Sequence, residues 1–159
     1  MGRLCRQREG EPDMIRKISA SDRETFLAFT KAFYASDAVL HPVPQAYHEV
    51  TFDEMMRSED YAIGYIFELD NKPVGYALLA KTFSQEAGGF VLWIEELYIL
   101  PEYRSRGLGR AFLNMLREDP GPGVKRLRLE VEAENRRARR LYEALGFSPL
   151  EYLQYIAAF

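Results

Sequence analysis

One cysteine, one tryptophan and two histidines among 159 residues set aside several kinds of protein at once. A lone thiol, Cys5, can make no intramolecular disulfide framework, and a cysteine-based metal cage has no second ligand. A reducing, cytoplasmic setting suits that composition. No apolar run approaches the roughly 18 to 20 residues of a membrane-spanning helix. The polar stretch 1–13 lacks the apolar centre of a secretion signal, so a protein off the membrane and not exported by that route is expected. Positive charge is also in deficit: 24 acidic against 21 basic side chains leave a net charge of -3. That balance argues against binding nucleic acid or a membrane surface through bulk charge. His41 and His48 lack the i, i+4 spacing of a helical ligand pair, so no metal is expected.

What is present suffices for one core. Hydrophobic residues make up 47% of the chain and aromatic residues 13%, enough for a single domain of this length. Residues 1–13 offer almost nothing to bury and read as a disordered extension, with Met14 a second candidate start and the domain running over 14–159. Apolar spacing predicts a short strand at Met14–Ile18, then a helix capped by Ser21 or Asp22 with Phe26, Phe29, Phe33 and Tyr34 on its buried side. The proline-containing stretch 37–50 reads as a loop and Thr51–Ser58 as a short helix. A hairpin follows, with strands at Tyr61–Leu69 and Val74–Phe83 around a turn at Asp70-Asn71-Lys72. Phe90–Leu100 is apolar on both alternating faces, as a central strand should be. Beyond it lie a helix at Leu108–Glu118, a Pro-Gly-Pro-Gly linker, a strand at Lys125–Val131 and a helix carrying Ala138, Leu141, Tyr142 and Leu145. Gly146 ends that helix, and Phe147–Phe159 reads as one or two final strands.

The run Arg104-Ser105-Arg106-Gly107-Leu108-Gly109-Arg110, between the central strand and the next helix, has the composition of a phosphate cradle. Its glycines permit positive φ and close approach of the backbone. A helix starting there contributes unpaired N–H groups and the positive end of its dipole. Arg104, Arg106 and Arg110 add charge, so a pyrophosphate would suit the site. The same residues would also make an ordinary strand-to-helix turn with solvated arginines.

Three separated segments decide between these readings: the acid pair in Ile94-Glu95-Glu96-Leu97-Tyr98-Ile99, the cradle, and Asn135-x-x-Ala138-x-x-x-Tyr142-x-x-x-Gly146-Phe147. Together they resemble the GNAT superfamily of acetyl-CoA-dependent N-acetyltransferases, from about Met14 to the C-terminus. The cradle matches the family's Gln/Arg-x-x-Gly-x-Gly signature, and the acid pair is similar to that of the spermidine/spermine acetyltransferases. The resemblance implies a single-domain α/β (α+β) fold. Its mixed, mostly antiparallel sheet of six or seven strands, with a splayed central pair, would be flanked by about four helices. It implies acetyl-CoA as cosubstrate, held by the backbone of Leu97, Tyr98 and Ile99, by Arg104, Ser105, Arg106, Gly107, Leu108, Gly109 and Arg110, and by Asn135. Asn135 would equally serve as a helix N-cap.

The same resemblance implies Tyr142 as general acid toward the departing thiolate, against a plain core role for its ring. Glu95 becomes the base that deprotonates the amine through water, and Glu96 a contact to the acceptor. On a regular strand adjacent acids point to opposite sides, and the family's bulge would relax that rule. The otherwise expected outcome is one solvated acid and one salt-bridged. A backbone N–H near Tyr98 or Ile99 is the implied oxyanion donor. The acceptor is expected to be a small-molecule amine, with no nucleic acid or membrane partner, and the family's C-terminal strands imply a homodimer through Tyr152–Phe159. Alternative readings are a protein N-terminal or lysine acetyltransferase and a non-catalytic CoA-binding module.

Overall fold

The computed structural model describes residues 15–36, 39 and 41–159. The expected extension 1–13, Cys5 and Met14 lie outside them, as do Asp37, Ala38 and Leu40 of the proline-containing stretch. Among the described residues five strands and four α-helices follow one another as β1 (Ile15–Lys17), α1 (Arg23–Tyr34), α2 (Gln45–Arg57), β2 (Ala62–Leu69), β3 (Lys72–Ser84), β4 (Gly89–Ile99), α3 (Leu108–Glu118), β5 (Val124–Leu129) and α4 (Arg136–Ala144). The sheet runs in the order β1-β2-β3-β4-β5. Neighbours from β1 to β4 are antiparallel, and β5 lies parallel to β4.

Local chemistry explains much of this layout. Asp70 and Asn71 adopt φ of 52° and 59°, the left-handed pair that a two-residue hairpin turn needs and that Asp and Asn tolerate. The β4–α3–β5 segment must use a crossover, because parallel strands cannot be joined by a tight turn. Both faces of the sheet are covered. Phe26, Phe29, Phe33 and Phe52 of α1 and α2 pack on Ile66, Tyr76 and Tyr98. Leu108, Phe112, Leu113 and Leu116 of α3 pack on Phe67, Leu79 and Leu92, with Leu141 and Tyr142 of α4 beside them. β4 therefore contributes to two cores, which is why its sequence is apolar at successive positions.

Three expectations are corrected. The stretch 37–50 is not loop throughout: α2 begins at Gln45 behind Pro44. The prolines mark a helix entrance, where a missing N–H costs nothing, and they place His48 in a buried position on that helix. Among the described residues the sheet has five strands rather than six or seven, because 148–159 form no strand. Leu153, Tyr155 and Ile156 there stand exposed. β5 stops at Leu129 rather than Val131, since its partner diverges at that point.

Asp22 stands at the N-terminus of α1, yet its carboxylate does not cap that helix. It accepts two hydrogen bonds from Arg16 at 2.8 Å and one from the Ser19 N–H at 2.8 Å, and Arg16 also donates to Glu68 at 2.8 Å. The guanidinium, more than burial opposes, holds the Asp22 carboxyl down at about 2. A carboxyl depressed on folding stabilises the native state above its unfolded pKa, near 3.8, and that contribution fades as pH falls through about 2. Asp22→Asn should accordingly lower unfolding free energy at pH 7 by about 1–3 kcal/mol, the usual range for a charged hydrogen-bonded group. The deficit should shrink toward pH 2 in urea titrations; one that stays constant between pH 7 and pH 2 would show that the charge is irrelevant.

Candidate functional site

The centre of β4 is irregular. Leu79 pairs with Ile94 while the preceding Leu78 pairs with Glu96, so Glu95 is the extra residue of a β-bulge. The bulge breaks alternation: Ile94 belongs to the core under α3 and α4, whereas Tyr98, two residues past Glu96, belongs to the core under α1 and α2. The two acids therefore meet different surroundings. Glu95 is exposed. Partial desolvation, then the like charges of Glu130 and Glu96, raise its carboxyl above the ordinary range, the direction a base working near neutrality requires. Glu96 is only 8% exposed. One of its carboxylate oxygens accepts from the Tyr34 hydroxyl at 2.7 Å and the other from Tyr76 at 2.5 Å. The expected solvated acid describes Glu95, but the expected salt bridge does not describe Glu96: among the described residues the buried acid is held by phenols.

Pairing between β4 and β5 ends at Ile94 and Leu129. Past that point β4 retains β3 on one side and has no strand on the other. The N–H of Leu100 donates to Val74 O at 2.9 Å, so by strand alternation the amides of Tyr98 also face β3 and those of Leu97 and Ile99 face the open edge. The Ile99 carbonyl is engaged there by Arg104 Nε at 2.8 Å. Of the three residues expected to meet the cosubstrate through their backbone, Leu97 and Ile99 present theirs, and Tyr98 is turned to its neighbour strand. Its ring packs on Phe29 and Phe33.

After a short 3-10 turn at Pro101–Tyr103, Ser105 takes φ 65° and Gly107 φ 83°. Gly107 stands directly before α3. Ala111 donates to Gly107 O at 2.9 Å, which leaves the N–H groups of Leu108, Gly109 and Arg110 as the unpaired first-turn donors of a helix. A side chain at Gly107 would meet no atom within 4 Å, so open space lies over this backbone. Arg104 and Arg106 fold onto the rings of Tyr98 and Tyr103 at 5.8 and 5.1 Å. Arg137, from the first turn of α4, donates to Ser105 Oγ at 2.5 Å. The donor set of free N–H groups and positive φ, with Arg104 and Arg106 in the same turn and Arg137 reaching Ser105, fits a pyrophosphate.

On α4, the Asn135 side chain accepts from Ala138 N at 3.1 Å, so its capping role is present. Tyr142 lies against Phe147, ring centroids 6.0 Å apart, and burial raises its phenol pKa, which keeps it protonated at neutral pH. Among the described residues its hydroxyl has no hydrogen-bond partner. Tyr142 lines an open groove of about 1020 Å³ along β5 together with Trp93, Leu129, Glu130 and Phe147. Neither the cradle nor Glu95 lines that groove. Residues that sequence reasoning left aside are Arg137 at the cradle, Glu130 beside Glu95, and Tyr34, Tyr76 and His48 around Glu96. Arg137 left a trace as one of four arginines in Arg136-Arg137-Ala138-Arg139-Arg140, Tyr34 as a member of an aromatic stripe and His48 as a residue of the proline-containing stretch. The others are brought in by tertiary packing.

A thialysine N-epsilon-acetyltransferase of Bos taurus is 37% identical over 78 residues, 48% of this chain and 45% of that protein. The chain spans about half the length of the curated relatives it matches first. The crystal structure of a possible acetyltransferase from Clostridium difficile 630 superposes with a TM-score of 0.78 at 22% identity, covering 91% of this chain and 96% of that one. The structure of AAC(6')-Iy with the bisubstrate analog CoA-S-monomethyl-acetylneamine superposes with a TM-score of 0.75 at 17% identity, covering 91% and 97%. These two likenesses establish a shared fold. Residues 23–147, from the first residue of α1 to the turn after α4, match the acetyltransferase (GNAT) family, and the chain belongs to that family.

Proposed function

We propose that the protein is an acetyl-CoA-dependent N-acetyltransferase acting on a primary amine of a small molecule. The observation that carries this reading is the coincidence, on one strand and the helix after it, of an open backbone edge at Leu97 and Ile99 with free N–H groups at Leu108–Arg110. A strand edge of this kind accepts an extended amide-bearing arm as a further strand would, and the helix end takes its phosphates. Bound acetyl-CoA supplies an acetyl group activated as a thioester. Leu97 and Ile99 orient the arm, and the Ile99 N–H is the donor placed to stabilise charge on the acyl oxygen. Arg104, Arg106, Arg110 and Arg137 neutralise the pyrophosphate.

Glu95 takes the proton that an ammonium, with a reference pKa of about 10.4, must lose before it attacks. Tyr142 returns a proton to the thiolate. Glu96 contributes to acceptor binding, and Asn135 holds the start of α4 where it also meets the cosubstrate arm. The thialysine enzyme's name and the aminoglycoside portion of the bisubstrate analogue both favour a small-molecule acceptor over a protein terminus. A cytoplasmic homodimer joined through Tyr152–Phe159, which are exposed in the single chain, completes the proposal.

The test is acetyl-CoA-dependent thiol release at about pH 8 across polyamines, aminoglycosides, amino acids and short peptides. Turnover of a small amine is expected. Acetyl-CoA binding without release on any acceptor would favour the non-catalytic module, and release on peptides alone would favour the protein-modifying alternative. Glu95→Gln should lower kcat/KM more at pH 7, where free amine is scarce, than at pH 9.5, and the loss should narrow at still lower pH, where the wild-type Glu95 carboxyl, raised above its ordinary value, is itself protonated. An equal loss at pH 7 and pH 9.5 would reassign Glu95 to binding.

A further inference from the structure

Arg128 lines the open groove along β5, its guanidinium 4.0 Å from the centre of the Trp93 ring, which lines the groove as well. The two residues are register partners on the parallel strands β4 and β5. Stacking of this kind occupies the face of a guanidinium and leaves the N–H groups in its plane free. Among the described residues no carboxylate lies within ion-pair distance of Arg128, and no oxygen accepts a hydrogen bond from it. Arg126, two residues earlier, differs in pairing with Glu86 at 3.6 Å. Half-buried Arg128 is therefore a fork of five N–H donors laid on a ring and lacking an acceptor. A planar carboxylate fits such a fork through two parallel hydrogen bonds.

The charge changes sign a short way along the strands. Ile94, paired with Leu129, turns to the core under α3 and α4, so Trp93 and Arg128, one residue earlier, face the other way. Glu95 follows Ile94, just beyond the groove, and its charge acts on the Tyr34 phenol of α1, the helix that covers this second side. Glu130 follows Leu129, lines the groove, and acts in turn on Glu95. Two residues of extended strand span roughly 6–7 Å. Over that distance the surface passes from an unpaired arginine to two acids, so an anion is drawn to one end and repelled from the other. A molecule carrying one charge of each sign is held in a single orientation, its ammonium toward Glu95. Resting on the acetyl-transfer reading, we propose that Arg128, stacked on Trp93, binds a carboxylate of the acceptor. The substrate class is an ω-aminocarboxylate, a primary amine joined to a carboxylate by a short flexible chain. Arg128 determines that specificity, and Trp93 is the platform that positions it.

Steady-state kinetics at saturating acetyl-CoA compares ω-aminocarboxylates of roughly four to seven carbons, chosen for this span, with their primary amides. At the best length the carboxylate should show kcat/KM at least about tenfold higher, corresponding to about 1.4 kcal/mol, with the gain residing in KM. Arg128→Gln should erase the difference, and Arg128→Lys, which keeps the charge without the fork, should retain only part of it. A second readout needs no turnover. Trp93 is the single tryptophan of the chain, so titrating the CoA-bound protein with the carboxylate should change tryptophan emission in the wild type and not in Arg128→Gln. Circular dichroism checks that both variants fold, and ω-aminophosphonates of equal length distinguish a planar from a tetrahedral anion. Equal efficiency for carboxylate and amide would overturn the proposal while acetyl transfer stands. A carboxylate preference that survives in folded Arg128→Gln, or a phosphonate turned over better than the carboxylate, would overturn it as well. Acetyl-CoA binding with no amine turned over would overturn the acetyl-transfer reading, and the acceptor role of Arg128 with it.

Discussion

Replacing Tyr142 with phenylalanine is expected to lower kcat by about 100-fold, the lower end of what a positioned general acid contributes, while leaving affinity for acetyl-CoA within about twofold. The expectation rests on what the substitution spares. The Tyr142 ring packs beside Phe147 and the core under α3 and α4, and phenylalanine keeps that packing. The hydroxyl holds no other structural group together, having no hydrogen-bond partner among the described residues, so its removal strands no buried donor or acceptor. Thermal stability should be nearly unchanged. If the phenol delivers a proton to a leaving thiolate of reference pKa about 8.5, the loss should be largest with thiols that leave poorly and smallest with an activated thioester. Wild-type rates at every pH would return Tyr142 to the core and leave solvent as the proton donor.

Gly107→Val should have the larger effect on binding, weakening CoA by about 100-fold or more, a loss of roughly 3 kcal/mol. Two consequences of one substitution act together. A β-branched residue at φ 83° is strained by about 1–2 kcal/mol or more, which pulls the start of α3 away from its present course. The new methyl groups also enter the open space above the backbone, where phosphate oxygens must come within hydrogen-bond distance of N–H groups. Because no protein atom lies there, the variant should still fold, with a modest drop in Tm. Titration calorimetry with CoA separates the two effects, and Gly107→Ala, with less bulk at the same φ, should fall between. Full affinity in a folded Gly107→Val protein would mean that the pyrophosphate does not come over this turn.

The elements most legible in the sequence were those whose ends are dictated locally. α3 spans Leu108–Glu118 as its apolar spacing suggests, because Gly107 can take the left-handed entrance and Leu108, Phe112 and Leu116 fall on one side. The β2–β3 hairpin followed from Asp70-Asn71. α2 was half-hidden: Pro42 and Pro44 masked its start, although His48, Phe52 and Met55, all buried, have helical spacing. The C-terminal stretch contains residues suited to strands, yet a strand exists only through its partner, and 148–159 have none.

The site divides in the same way. Glycine and arginine marked the cradle directly. The different surroundings of Glu95 and Glu96 were not readable, because they depend on a one-residue slip of register against β3 and on two tyrosines 62 and 20 residues away in sequence. Tyr34 read only as another member of an aromatic stripe, and Asn135 is seen in the capping role its sequence position allowed.

The divergence of β4 from β5 leaves this sheet unfinished along its own middle rather than at its rim. Interior strands are ordinarily the slowest part of a fold to exchange their amide hydrogens. Here Leu97 and Ile99 have the hydrogen-bonding status of an outer edge, and any ligand that pairs with them completes the sheet. Binding and folding are thereby linked: a ligand at a hundred times its Kd adds about 2.7 kcal/mol to stability. With acetyl-CoA paired there as proposed, resistance to unfolding would become a running record of how much cosubstrate surrounds the protein.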